Sequence, residues 1–121
     1  MRREIDYALA RRAVLRDYRR GALDRLEVCD AHPELVRAAR NLGTETADDC
    51  PICGGGSLRQ VSYVYGDKLK APGGRAVTSP DELRKLGRAH DELKCYVVEV
   101  CLECSWNYLL RTYLVGRSHA V

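Results

Sequence analysis

No apolar run in this sequence is long enough to cross a bilayer. Its apolar runs, such as Tyr96 to Val98 and Tyr113 to Val115, fall far short of the roughly 20 residues a membrane helix needs. The opening residues, MRREIDYALARR, hold no continuous apolar stretch of the signal-peptide kind. A cytoplasmic location is therefore expected, and there thiols stay reduced and structural disulfides are rare. Also missing are a Ser-His-Asp order, a phosphate-cradling glycine loop and a clustered pair of carboxylates. The commoner enzyme chemistries thus lack their residues. There is no internal repeat and no low-complexity tract beyond one doubled cysteine motif.

At 121 residues the chain is one domain by length, with room for one modest core. Its net charge of +3 is unevenly spread. Residues 1–20 hold seven Arg against Glu4, Asp6 and Asp17, a balance of +4. Residues 21–49 hold three Arg against seven acids, a balance of −4. A basic arm beside an acidic segment is suited to steering an acidic partner. The plainer alternative is a soluble helix whose Arg side chains face water.

Residues 4–19 contain no Gly or Pro and are rich in helix formers, so the expectation is one helix stopped by Gly21. Tyr7, Val14, Leu15 and Tyr18 share a face with Arg11 among them, whereas Ile5 and Leu9 fall on another side, available to a second surface or a partner. A second helix runs through Leu35, Val36, Ala39 and Leu42 to Gly43, capped by Asp30, or by His32 with Pro33 at its first position. β-Branched and aromatic residues then predict three strands near 58–65, 95–101 and 106–115. Between the first two, Pro72-Gly73-Gly74 marks a mobile loop. Ser79, Pro80 and Glu82 open a short helix with a capping box.

The chemistry sits in two C-x2-C pairs, Cys50/Cys53 and Cys101/Cys104, with 47 residues between them. Two residues between thiolates let a tight turn aim both sulfurs at one point, and two such turns make the closed four-thiolate cage of a structural zinc ion. Gly54 to Gly56 suit a turn needing positive φ. They also prevent a helix from starting after Cys53, which argues against a thioredoxin-like redox pair. Disulfides and iron stay open as alternatives. CPICG resembles one knuckle of rubredoxin, but CLECSW has Ser105 where that pattern has glycine. Zn2+, one per chain, is the expected cofactor, with Fe the lesser alternative. Cys29 and Cys95 are left over and read as small buried hydrophobes, although Cys29 with His32 formally pairs a nucleophile with a base. His90 and His119 are expected to be solvated.

Residues 50–115 resemble a zinc ribbon on the four Cys and the strand pattern. The expected fold class is α+β: N-terminal helices (1–49) packed on a three-stranded antiparallel zinc-ribbon sheet (50–115), with a loop and helix inserted at 66–93 and a tail at 116–121. Across the whole chain, EVCDAHPELVRAAR, CPICG, VSYVYGDKLK and YVVEVCLECSWNYLLRTYLVG resemble a family of small proteins of high-GC Gram-positive bacteria, catalogued as a domain of unknown function. The 16 Arg against 4 Lys agree with a GC-rich genome.

Zinc ribbons recur in transcription factors, RNA polymerase subunits, ribosomal proteins and nucleic-acid-modifying enzymes, so the resemblance implies a binding or scaffolding module. The expectation is a non-catalytic adaptor docking on a nucleic-acid machine such as RNA polymerase or the ribosome. Arg2, Arg3, Arg11, Arg12, Arg16, Arg19 and Arg20 would supply phosphate-directed charge, and Trp106, with Tyr63, Tyr65 and Tyr108, would stack on bases if exposed. Packing inside the protein is the competing role for these aromatics. The alternatives are a purely protein-binding regulator using the first helix and the 66–78 loop, a thiol-dependent enzyme built on Cys29, and a rubredoxin-like electron carrier. No membrane partner is expected.

Overall fold

The computed structural model describes residues 3–67, 69 and 74–119. In chain order the elements are β1 (Glu4–Asp6), α1 (Ala8–Arg19), α2 (Arg25–Val28), α3 (Pro33–Leu42), β2 (Thr44–Glu45), β3 (Leu58–Tyr65), β4 (Arg75–Val77), α4 (Pro80–Ala89), β5 (Leu93–Cys101) and β6 (Asn107–Val115). A 3-10 turn follows at Arg117–His119. Arg2 and, from the expected loop, Pro72 and Gly73 lie outside the described residues.

The strands expected at 58–65, 95–101 and 106–115 form the centre of the sheet. β3 pairs with β5 from Leu58 opposite Cys101 to Tyr65 opposite Lys94, and β5 pairs with β6 from Leu93 opposite Val115 to Val100 opposite Asn107. The sheet is nevertheless six-stranded rather than three-stranded, antiparallel throughout, in the order β1-β6-β5-β3-β2, with β4 also on β3. Unpaired strand edges attract any extended segment nearby, and three short pieces with no strand signal of their own take those places. β2 lies opposite Arg59 and Gln60, and β4 opposite Ser62 to Val64, so together they cover the outer edge of β3.

β1 corrects the expected helix over 4–19. Residues 4–6 pair with Arg111 to Tyr113, and the helix begins only at Ala8, whose N–H donates to Asp6 Oδ1 at 2.7 Å. The helix end is as expected. Gly21 takes φ +80, its N–H donates to Tyr18 O, and Ala22 N–H donates to Asp17 O, the paired bonds of a Schellman cap. His32, not Asp30, caps α3: its Nδ1 accepts from Glu34 N–H at 3.1 Å with Pro33 at the first position. Ser79 caps α4, but Glu82 reaches past it to the N–H and hydroxyl of Thr78 instead of closing a box. These bonds hold the Glu82 carboxyl below its ordinary range.

Alternation along the strands sorts the core onto two faces. One face carries Val61 and Val100, covered by Ala39, Leu35 and Val36 of α3. The other face has two apolar zones. Near the cysteines, Leu58, Cys101 and Trp106 pack on Leu15 of α1 and Val28 of α2. At the far end, Val64, Val77, Leu93, Cys95 and Val97 pack on Leu83 and Leu86 of α4. Cys95 is fully buried there, as read from the sequence. Among the described residues no helix is long and apolar enough to cross a membrane.

Candidate metal centre

Each cysteine pair closes a turn with the same backbone wiring. In the first, Gly54 N–H donates to Cys50 O (3.0 Å) and Cys50 N–H to Gly55 O (2.9 Å). In the second, Ser105 N–H donates to Cys101 O (3.1 Å) and Cys101 N–H to Trp106 O (2.8 Å). The residue after each second cysteine takes a left-handed conformation, Gly54 at φ +74 and Ser105 at φ +69. Ser105, which seemed a departure from the knuckle pattern, adopts the glycine conformation all the same.

The β3–β5–β6 pairing brings the two turns together. The Sγ atoms of Cys50, Cys53, Cys101 and Cys104 all lie within 4.8 Å of one another. Cys50 to Cys104 and Cys53 to Cys101 are each 3.7 Å apart. A tetrahedron with Zn–S bonds of about 2.3 Å has edges of about 3.8 Å, so the donor set and its spacing fit a four-thiolate metal ion. Ile52 N–H donates to Cys50 Sγ and Gly55 N–H to Cys53 Sγ, both at 3.4 Å, which favours sulfur as thiolate. Burial works the other way, pushing Cys50 up to about 11 and raising Cys104 too, while the Gly55 amide brings Cys53 down. A cation held by the four sulfurs would offset the charge of their ionised forms.

A fifth thiol borders the set. Cys29 Sγ donates to Cys104 Sγ at 3.5 Å. Cys29 packs on the Leu15, Val28 and Trp106 cluster, as read from the sequence, and it has this thiol contact besides; His32 Nδ1 is engaged as the α3 cap. Two bonds fix the Cys29 segment to the second turn: Ala31 N–H to Ser105 O (3.0 Å) and Asn107 Nδ2 to Asp30 Oδ1 (2.9 Å). Sequence reading could not join positions so far apart.

It also missed Glu99, buried at 6% exposure in the sheet floor beside the centre. Its Oε2 accepts from Trp106 Nε1 (2.7 Å), Arg11 Nε (3.0 Å) and Arg11 Nη2 (2.8 Å). The one signal was the lone acid in YVVEVC, since a charge inside an apolar strand requires partners. Two expected binding residues are thereby reassigned. Trp106 is 1% exposed and stacked on Tyr108, so its faces are closed to any base. Arg11 is bound to Glu99 rather than turned outward. Tyr63 packs against the α3 face of the core, and Tyr65, partly exposed, meets Tyr96 edge-on.

Of the other expected cations, Arg3, Arg12, Arg16, Arg19 and Arg20 have exposed side chains, and Arg20 pairs with Asp17 at 3.2 Å. Ile5, Leu9 and Leu26 are exposed too. His119, expected to be solvated, instead has its ring mostly covered and its Nε2 2.9 Å from Glu92 Oε2.

Fold and site together define a small mixed α/β protein, a six-stranded antiparallel sheet with four helices and a four-cysteine cluster able to hold a metal ion. The chain belongs to the family described as "Family of unknown function (DUF5318)", whose model matches residues 1–121. It is similar to the uncharacterized proteins Rv0049 of Mycobacterium tuberculosis and Mb0050 of Mycobacterium bovis. Each is 43% identical over 112 residues, covering 93% of this chain and 81% of the relative. No solved structure gives a significant match.

Proposed function

We propose that the protein is a non-catalytic zinc-ribbon adaptor of the cytoplasm, in which one Zn2+ held by Cys50, Cys53, Cys101 and Cys104 fixes a platform for docking on a larger nucleic-acid machine such as RNA polymerase or the ribosome. The observation that carries this reading is the closed donor set itself: four thiols within 4.8 Å of one another, contributed by two matched turns. Four protein ligands leave no position for substrate or activating water, so the ion's part is structural. When bound, it supplies the charge that lets buried thiols ionise. The Ile52 and Gly55 amides share in stabilising them, and iron at the same ligands is the lesser alternative.

The docking surface on this reading is the outer side of α1. Leu9, Arg12, Arg16 and Arg19 fall at helical spacing and are exposed, an apolar foot followed by three cations. Such a stripe suits an acidic surface with an apolar notch, whether phosphate or carboxylate. A second reading, a regulator that binds protein alone, draws on the exposed Ile5, Leu9 and Leu26.

The test is co-sedimentation with purified ribosomes and co-elution with purified RNA polymerase across a salt series, using wild type and an Arg12→Glu/Arg16→Glu/Arg19→Glu variant, each with its zinc content measured. Binding that weakens steeply with salt, and whose salt slope falls by about three units in the variant, supports phosphate contact through α1. Binding indifferent to salt but lost in Leu9→Asp selects the protein-binding reading. No binding to either machine overturns the adaptor assignment.

A further inference from the structure

We propose that Cys29 and Cys104 form an oxidative modification site, a thiol pair that a peroxide-class oxidant converts to a disulfide. The consequence drawn for the metal rests on the zinc reading above; the pair itself does not.

Thiolate ligation alone does not make a centre redox-responsive. What this protein adds is a thiol outside the four-ligand set and in contact with one member of it. Cys29 Sγ is 3.5 Å from Cys104 Sγ, nearer than Cys104 is to its fellow ligand Cys50 at 3.7 Å. The approach is fixed by the fold. Cys29 ends α2, with its N–H donating to Arg25 O at 2.8 Å, and the next two residues are tied to Ser105 and Asn107 on the second turn. Accessibility selects the same pair: Cys50 and Cys101 are buried, whereas Cys29, Cys53 and Cys104 are each partly open. Of the two open ligands, only Cys104 has the contact with a non-ligand thiol.

The chemistry balances with hydrogen peroxide as the oxidant. Cys104 thiolate attacks one peroxide oxygen, the O–O bond breaks, and Cys104 becomes a sulfenic acid as hydroxide leaves and takes up a proton. Cys29, giving up its proton, attacks the Cys104 sulfur. The S–O bond breaks, the S–S bond forms, and a second water departs. Two thiols lose two electrons, and one peroxide becomes two waters. The metal set is left with three thiolates, and a dithiol reductant reverses the step.

The experiment treats the full-length, zinc-analysed protein with hydrogen peroxide, alkylates it, and maps disulfides by peptide mass spectrometry while a chromophoric indicator follows zinc release. We expect a Cys29–Cys104 cross-link as the main product, zinc released alongside it, and both reversed by dithiothreitol. In Cys29→Ser, zinc content and melting before oxidation should match wild type. Recovery after dithiothreitol should fall about tenfold as Cys104 passes on to sulfinic acid. Disulfides confined to the four knuckle cysteines, with Cys29 still alkylated, would overturn the proposal, as would equal recovery in Cys29→Ser. If the purified protein carries no metal yet still forms the Cys29–Cys104 bond, the zinc reading fails and the modification site stands.

Discussion

The two cysteine turns are alike in backbone and unlike in support. The first, Cys50 to Gly55, follows a polar linker, and a side chain added at Gly54 would meet nothing within 4 Å. The second, Cys101 to Trp106, is the hairpin between the two longest strands and is held by β pairing, by the buried Trp106 and by the bonds to residues 30 and 31. One turn is shaped by glycine freedom, the other by its surroundings. Ser105 makes the point: a left-handed φ costs a non-glycine residue roughly 1–2 kcal/mol, and the hairpin imposes it regardless. The same backbone turn thus arises by two physical routes.

The largest effect expected is on the ligands, where the difference between the turns should vanish. Cys50→Ser and Cys101→Ser should each abolish stoichiometric zinc and lower the melting temperature as much as chelation does, because metal binding and folding are one free energy in small metal domains. Elemental analysis with calorimetry checks this; a variant that keeps full stability without metal refutes it. The pH dependence should reverse with loading. In the metal-free protein burial raises Cys50 from 9.0 to about 11, so its contribution to stability is complete below pH 9 and lost as pH climbs towards 11. The loaded protein should instead lose metal as acid protonates the thiolates.

Next comes the support peculiar to the second turn. Arg11→Met leaves Glu99 buried with Trp106 as its remaining donor. The expected loss is on the order of 2–3 kcal/mol, discounted from about 3–5 for a fully buried pair because Arg11 is partly exposed. Pairing it with Glu99→Gln should recover part of that loss in urea melts. A double variant as unstable as the sum of its parts would show that the charge pair is not the connection.

The smallest effect exchanges the residues that distinguish the turns. Gly54→Ser should cost about 1 kcal/mol, purely from the left-handed backbone. Ser105→Gly relieves that strain but frees the unfolded chain, so it should fall within about 1 kcal/mol of wild type, on the stabilising side. Equal destabilisation by both would mean that Ser105 is held for some contact of its own.

The central strands were legible because β-branched and aromatic residues are concentrated in β3, β5 and β6, each eight or nine residues long. β1, β2 and β4 were not, since two or three residues carry no period, and Glu-Ile-Asp reads as the start of a helix until a partner strand is supplied. The four clustered thiols were legible from spacing alone. Cys29 and the Glu99–Arg11–Trp106 contacts were not, because each depends on which helix the sheet draws over the hairpin. Trp106 shows the cost of that blindness: a lone tryptophan beside a metal motif reads as a contact residue, and here it is core.

The sheet order has a consequence for how the molecule comes into being. β1 pairs with β6, more than 100 residues further along the chain, where Glu4 lies opposite Tyr113. β1 therefore finds its place only after residues 111–113 have been synthesised, and the two halves of the thiol cluster meet only once Cys101 and Cys104 have been made. Contacts so distant in sequence are closed late and slowly. Until then Val14, Leu15 and Tyr18 of α1 lack Cys101, Trp106 and Tyr108 from their apolar cluster. The nascent chain exposes apolar surface, and is open to aggregation, until β6 arrives.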